Sequence, residues 1–298
     1  MNKYRIHMYT YKHLGDYTAL TNALYNAKQA YPEYEFCVDF RGYTQYSDLF
    51  LNNPLVSQRS DLPNWDMHVH YGTRSEEIHG SNGNFLEGFH SIALKSFGYL
   101  HNYPCEYPMI KKTPDFYILP DEYDKYPIPY KDYCILNANC QTSSDVKGYP
   151  YWQEVVDMCP DIQFLQIGGD PRDITTKIKN TVDLRGKTTV RQLLLLASRA
   201  KYILSGPSGI VHIGQAFPDV HKFVVIGARE SENLWKYENT TVFGSSCESY
   251  GGCTGCMKRH FGPGQCDKYC VSDTNQKFAQ CMSNISPEQI AEELHKVV

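Results

Sequence analysis

The chain has 298 residues, 42% hydrophobic and 21% charged, with a formal net charge of −4. Such totals describe a globular protein with a large core, long enough for two domains of ordinary size. They exclude a global electrostatic pull toward nucleic acid or anionic membrane, though not a local basic groove.

No segment approaches the ~20 apolar residues of a membrane span. The first residues, MNKYRIHMYTYKHLGD, hold no uninterrupted apolar signal core. A cytoplasmic protein is therefore expected. Eleven cysteines, an odd number, then argue for reduced thiols or a metal rather than a disulfide framework. The 24 tyrosines suit half-buried packing and binding grooves alike.

In chain order, residues 4 to 9 read as a strand and 14 to 16 as a turn. Residues 17 to 30 carry a helical pattern (Leu20, Ala23, Leu24, Ala27) that ends before Tyr31-Pro32, and 35 to 40 read as the next strand. Repeated βα units of this kind predict a parallel sheet with helices on both faces. Residues 52 to 130 are Pro-rich and irregular, with one helix expected near 87 to 99. The Pro- and Tyr-rich piece 120 to 133 reads as a linker. A second alternating series follows: strand 133 to 137, helix 152 to 158, and strand 162 to 167 ending at Gly168-Gly169-Asp170. Thr189-Val190-Arg191-Gln192 then forms a capping box that opens a helix, with strands 202 to 204 and 222 to 226 beyond it. Ser286-Pro287-Glu288-Gln289 opens the last helix in the same way. The fold class expected is α/β, two Rossmann-like domains facing a cleft, 1–130 and 131–298.

One stretch bears most on chemistry. ILSGPSGIVH, residues 203 to 212, runs from a buried strand through a Gly-Pro-Ser-Gly turn directly into a helix. In open α/β sheets ligands sit at the carboxyl ends of strands, beside the following helix N-termini. Gly206 and Gly209 allow close backbone approach. The amides from Ser208 through Gly209 and Ile210 to Val211 with the positive helix end suit a phosphate, and His212 lies one turn into the helix, within reach of the same anion. The spacing fits neither a Walker loop nor the dinucleotide fingerprint. A tight turn with a core-facing histidine is the competing reading.

The segment DLRGKTTVRQLLLLASRAKYILSGPSGIVHIGQAF resembles the signature region of glycosyltransferase family nine, the ADP-heptose:lipopolysaccharide heptosyltransferase group. HLGDYTALTNALYNAKQAYPEYEFCVDF resembles the opening of the same family, and LFLNNPLV its next element; residues 60 to 130 match little. The resemblance implies a GT-B fold, with 1–130 as the acceptor domain and 131–298 as the donor domain, and an inverting sugar transfer from a nucleotide-diphosphate donor with no catalytic metal. It also implies that Asp16 acts as general base on the acceptor hydroxyl, a role open to a carboxylate at a strand–helix junction. An N-cap role for Asp16 is the alternative, and His13 is a weaker candidate base. On the donor side the resemblance points to Lys147 for the phosphates and to Thr188 for the base or ribose, while Thr142, Gly168 and Gly169 are candidates for further contacts by their places after strand ends. Asn139 and Gln141 stand beside Thr142. The family's acidic residue before Ser/Thr-Gly is here Pro207, which puts heptose itself in doubt.

Cys253-x2-Cys256 and Cys266-x3-Cys270 are two close pairs around a basic loop, within a cysteine-rich knuckle spanning 247–281. Their spacing suits a tetrahedral structural zinc, and four thiolates would leave no open catalytic position. Cys247, Cys281 and His260 are competing ligands. The reading is thus a nucleotide-sugar-dependent glycosyltransferase acting on a glycan- or lipopolysaccharide-type hydroxyl. Competing readings are a phage-type transferase acting on hydroxymethylated DNA bases, a sugar-nucleotide epimerase, and a non-catalytic glycan- or nucleotide-binding protein.

Overall fold

The computed structural model describes residues 4–10, 13–69, 83–102, 104–138, 147–169, 177–228, 230–244 and 279–297. They fall into two units, one made of Met1–Ile128 with Thr189–Leu195, the other of Pro129–Thr188 with Leu196–Val298. Among the described residues no helix is long and apolar enough to cross a membrane.

The first unit is built on three parallel strands, β1 (Arg5–Tyr9), β2 (Glu35–Val38) and β3 (Asn64–His68), in the order β2-β1-β3. Strand alternation sends Ile6, Met8, Phe36 and Met67 to one face, where they are buried. That face carries α1 (Leu14–Ala30), which in turn packs on α2 (Phe85–His101). An Asn84–Glu87 capping box opens α2, the Glu87 carboxylate accepting from the Asn84 amide at 2.8 Å. β3 lies inside the stretch expected to be irregular. Its exposed Asn64, Asp66 and His68 alternate with half-buried Trp65 and buried Met67, a short strand pattern masked by its Pro-rich surroundings.

The Pro-rich stretch is nonetheless tied down. Asn22 and Asn26, buried on α1, donate to the Lys111 carbonyl at 2.7 and 3.0 Å, and the Thr21 hydroxyl accepts from the Asp115 amide at 2.9 Å. This explains polar residues in the middle of a buried helix, since burial of such groups without partners is costly. The segment expected to be a linker also holds structure, α3 (Asp121–Lys125). Its Glu122 takes both Nε and a terminal nitrogen of Arg191 at 2.6 Å, while Arg191 also donates to the Tyr117 carbonyl at 2.6 Å. Thr189–Leu195 is grouped with the first unit, which no linear division of the sequence anticipates.

The second unit has six parallel strands: β4 (Tyr133–Asn137), β5 (Gln163–Gln166), β6 (Val182–Asp183), β7 (Tyr202–Ser205), β8 (His221–Gly227) and β9 (Thr240–Gly244). Their spatial order is β6-β5-β4-β7-β8-β9, the 3-2-1-4-5-6 arrangement of a doubly wound sheet. Up to the terminal Asn137 and Ser205 the central strands β4 and β7 are buried on both faces, as a sheet covered on both sides requires. Helix α4 (Trp152–Met158) shares one core cluster with the last helix, α8 (Pro287–His295), through Trp152, Val155, Ile290 and Leu294. Both expected helix starts form. Thr189 and Gln192 exchange bonds of 2.9 and 3.1 Å ahead of α5 (Val190–Arg199), and the Ser286 hydroxyl accepts from the Gln289 amide at 3.2 Å. Helix α6 (Gly209–Gly214) follows β7 at once and rides close on it, since a Cβ at Gly214 would lie 2.5 Å from Ile203 Cδ1. A short helix, α7 (Gln280–Ser283), precedes α8.

Candidate functional site

Reversal of strand order in a doubly wound sheet opens a crevice at the carboxyl ends of the two central strands, here β4 and β7. The glycine-rich turn stands at that point. Asn137, the last residue of β4, donates to the Ser208 hydroxyl at 2.8 Å, and Ser205 and Ser208 share a bond of 2.9 Å. Ser208 is the N-cap of α6 in extended conformation, and its side chain makes no capping bond. The first amides of a helix lack intrahelical partners, so the turn offers donors together with a fixed hydroxyl. Gly206 is placed against backbone: a Cβ there would meet the Lys147 carbonyl at 3.6 Å and the Val225 carbonyl at 4.0 Å. This contact sets Lys147 directly beside the turn.

The Lys147 ammonium lies 2.7 Å from Glu230, and both side chains are largely buried. Glu230 also accepts from the Trp235 indole at 2.8 Å. The lysine expected to face donor phosphates is therefore ion-paired in this structure. Sequence reasoning missed Glu230, although it follows the carboxyl end of β8, a position where ligand-binding residues gather. His212 departs further from expectation. Its Nδ1 is 2.8 Å from the Tyr237 hydroxyl, and its ring stacks on Trp235 at 4.8 Å and 13°. Burial pushes its pKa down to about 3, with Glu230 opposing weakly. A neutral, core-facing imidazole supplies no positive charge to an anion, which accords with the competing reading of a tight turn over a core histidine.

Gly168 and Gly169 follow β5, and the Gly168 carbonyl accepts from the Gly186 amide at 3.0 Å. This bond joins the double-glycine turn to the Asp183–Thr188 turn, where Arg185 makes a bidentate pair with Asp183 at 2.8 and 2.9 Å. Thr188, half-buried, ends that turn just before α5. Gly168, Gly169 and Thr188 thus form one group and Lys147, Ser208, Gly209 and Ile210 another. β4, which leads toward Lys147, lies between β5, which leads into the double-glycine turn, and β7, which leads into the Ser208 turn, at roughly 5 Å per strand step. Thr142, with Asn139 and Gln141, lies outside the described residues, as do Cys253, Cys256, Cys266 and Cys270. Among the described residues no group of three or more His, Cys, Asp or Glu side chains is arranged to hold a metal ion.

In the first unit Asp16 is the third residue of α1, and the N-cap is His13. The N-cap alternative for Asp16 therefore does not hold. Its carboxylate reaches back to the His13 amide, as an acid at this position commonly does. Asp16 is 7% exposed. Burial raises its pKa to about 7, the His13 amide opposing. Beside it Tyr17 donates its hydroxyl to the Phe40 carbonyl at 3.0 Å and packs against Tyr46 at 4.9 Å between ring centroids. Burial chiefly, with Asp39 and then Tyr46 and Asp16, pushes the Tyr17 phenol up to about 12, so it stays protonated. A carboxyl poised near neutrality at a strand–helix junction suits proton abstraction from a hydroxyl. Tyr17 and Tyr46 were not singled out from sequence; their tyrosine-rich surroundings gave no periodic signal.

No protein-family model matches the sequence, and no curated protein matches it. Solved structures do. E. coli ADP-heptose lipopolysaccharide heptosyltransferase II aligns over 98% of this chain and 98% of its own, with a TM-score of 0.64 at 13% identity. The fold is GT-B. A family 9 glycosyltransferase from Veillonella parvula aligns over 98% of this chain and 96% of its own (TM-score 0.64, 14% identity). E. coli heptosyltransferase WaaC with ADP aligns over 99% and 100% (TM-score 0.58, 13% identity). The architecture expected from the signature segments is thus the one found, over nearly the whole chain, while identities this low speak for fold and not for substrate.

Proposed function

We propose that the protein is a glycosyltransferase moving a sugar from a nucleotide-diphosphate donor to an acceptor hydroxyl, with inversion and with Asp16 as general base. The observation that carries this reading is Asp16 itself, a buried carboxyl with a pKa of about 7 at the head of α1. In a fold shared with enzymes solved with ADP, that group is matched to deprotonating an alcohol as the alcohol attacks an anomeric carbon. The second unit would hold the donor. Ser208 and the amides of Gly209 and Ile210 take the diphosphate, and Gly168, Gly169 and Thr188 take the nucleoside side. Lys147 joins the phosphates only by leaving Glu230, which makes that carboxylate a competitor for the same ammonium.

Displacement at the anomeric carbon breaks its bond to the diphosphate oxygen. It forms one to the acceptor oxygen, whose proton passes to Asp16 while the nucleoside diphosphate departs with the bonding electrons. The test is release of nucleoside diphosphate from a panel of ADP-, UDP- and GDP-sugars offered with a mixed pool of acceptor glycans. Release that depends on acceptor and disappears in Asp16→Asn supports transfer. Turnover of donor without acceptor would point to an epimerase. A structural zinc on Cys253, Cys256, Cys266 and Cys270 remains part of the proposal, and elemental analysis of the purified chain tests it at one zinc per molecule.

A further inference from the structure

Beside the Ser208 turn a buried ion pair joins two loops of the second unit. The Lys147 ammonium lies 2.7 Å from Oε1 of Glu230, with the two side chains 11% and 7% exposed. Each end is anchored. The Lys147 main chain packs on the turn, where a Cβ at Gly206 would meet its carbonyl at 3.6 Å. Glu230 follows the end of β8, and its Oε2 accepts from the Trp235 indole at 2.8 Å. Trp235 is held by its stack on His212 at 4.8 Å, and His212 by the Tyr237 hydroxyl at 2.8 Å. The carboxylate is thereby fixed, while the four-carbon stem of the lysine lets the ammonium move.

Such a pair adds little stability, because taking both charges out of water offsets most of their attraction. What it governs is the ammonium. A phosphate bound at the turn has to draw Lys147 away from a fixed carboxylate and leaves that carboxylate buried and negative nearby. His212 does not neutralise it, since burial keeps the imidazole uncharged. The charge on the ligand also changes during transfer. A nucleotide sugar carries its diphosphate as a diester. When the anomeric C–O bond breaks, the nucleoside diphosphate keeps the bonding electrons and gains a negative charge. An unopposed lysine would grip this product more tightly than the substrate and delay its release. A competing carboxylate loosens that grip.

We propose that Glu230 is a positioning residue acting through Lys147, taking the ammonium back from the departing diphosphate and so speeding product release. This rests on the second unit holding the donor and adds the control of that site's affinity.

The test is calorimetric binding of ADP, UDP and GDP to the intact chain and to three variants. Glu230→Gln keeps an acceptor for the Trp235 indole and frees the ammonium, so it should bind the preferred nucleotide about tenfold more tightly and release it about tenfold more slowly in stopped-flow displacement. Lys147→Met leaves the carboxylate alone beside the diphosphate and should bind it about tenfold more weakly. The double variant removes both charges and should bind within about threefold of the wild type. A pair with a merely structural role would move both single variants in the same direction, through loss of the fold. Should Glu230→Gln fail to fold, the double variant decides, and binding as weak as that of Lys147→Met overturns the inference. Equal or weaker binding by a folded Glu230→Gln also overturns it and leaves the donor reading standing. Absence of nucleotide binding in the wild type and every variant removes both together.

Discussion

Replacing Asp16 by Asn should make the protein more stable and nearly inactive, and the gain in stability should depend on pH. In an unfolded chain the carboxyl titrates near 3.8; in the fold burial carries it to about 7. Between those values the native state keeps a proton that the unfolded state has released. Stability from this group is complete below pH ~4 and is lost as pH rises through ~7. Three tenfold steps in proton affinity correspond to about 4 kcal/mol, the cost of holding a buried carboxylate ionised. Asn has the shape of the protonated acid and can still accept from the His13 amide. The variant should therefore match the wild type at pH 4 and exceed it by up to about 4 kcal/mol at pH 8 in urea unfolding. Transfer should fall by about 10²–10⁴, the ordinary worth of a general base. In the wild type kcat/KM should climb with pH to a plateau above an apparent pKa of about 7. An Asn variant that transfers sugar normally, or one whose advantage in stability over the wild type is no larger at pH 8 than at pH 4, would refute the assignment.

Further outcomes follow from the same geometry. Gly227 sits at φ 61° with space closed off, since a Cβ would lie 2.6 Å from Met282 Sδ and 3.0 Å from Cys281 Sγ. Gly227→Ala should thus cost about 2–4 kcal/mol, read from the shift of the denaturant midpoint. Arg191→Met strands Glu122, whose carboxyl the guanidinium holds below its ordinary range, and should cost about 3–5 kcal/mol at pH 7. That deficit should shrink as the pH falls below 4.5 and Glu122 takes a proton in the variant. Ser208→Ala removes the partner of Asn137 and Ser205 and should weaken binding of ADP or its UDP and GDP counterparts about five- to tenfold by calorimetry, with the fold intact. His212, with its pKa pushed from 6.5 to about 3, makes the unfolded state the better proton binder between those values. Its stabilising effect is present above pH 6.5 and lost in acid, so hydrogen exchange around Trp235 and Tyr237 should accelerate between pH 6 and 4, and less so in His212→Phe.

The two units were not equally legible. In the second, strands such as Tyr133–Asn137 and Tyr202–Ser205 are buried on both faces, so their apolar runs stand out and their ends could be placed to within a residue. In the first, Asn64–His68 alternates exposed polar residues with Trp65 and Met67, a pattern too short to stand out within a Pro-rich stretch. The site divides along the same line. Ser208 and Asp16 stand at strand-to-helix turns, where the chain itself marks the position by glycines and by the abrupt change of period. Glu230, Trp235 and Tyr237 are assembled around His212 by packing between loops after β8, and nothing local in the sequence announces it. The Tyr9–His68–Arg41 stack is harder still, because it joins the ends of three strands that are adjacent only after the sheet has formed. What backbone geometry demands of one residue can be read one residue at a time. A group assembled by register cannot, and that is why the Ser208 turn and Asp16 stood out before the fold while the Tyr9–His68–Arg41 stack did not.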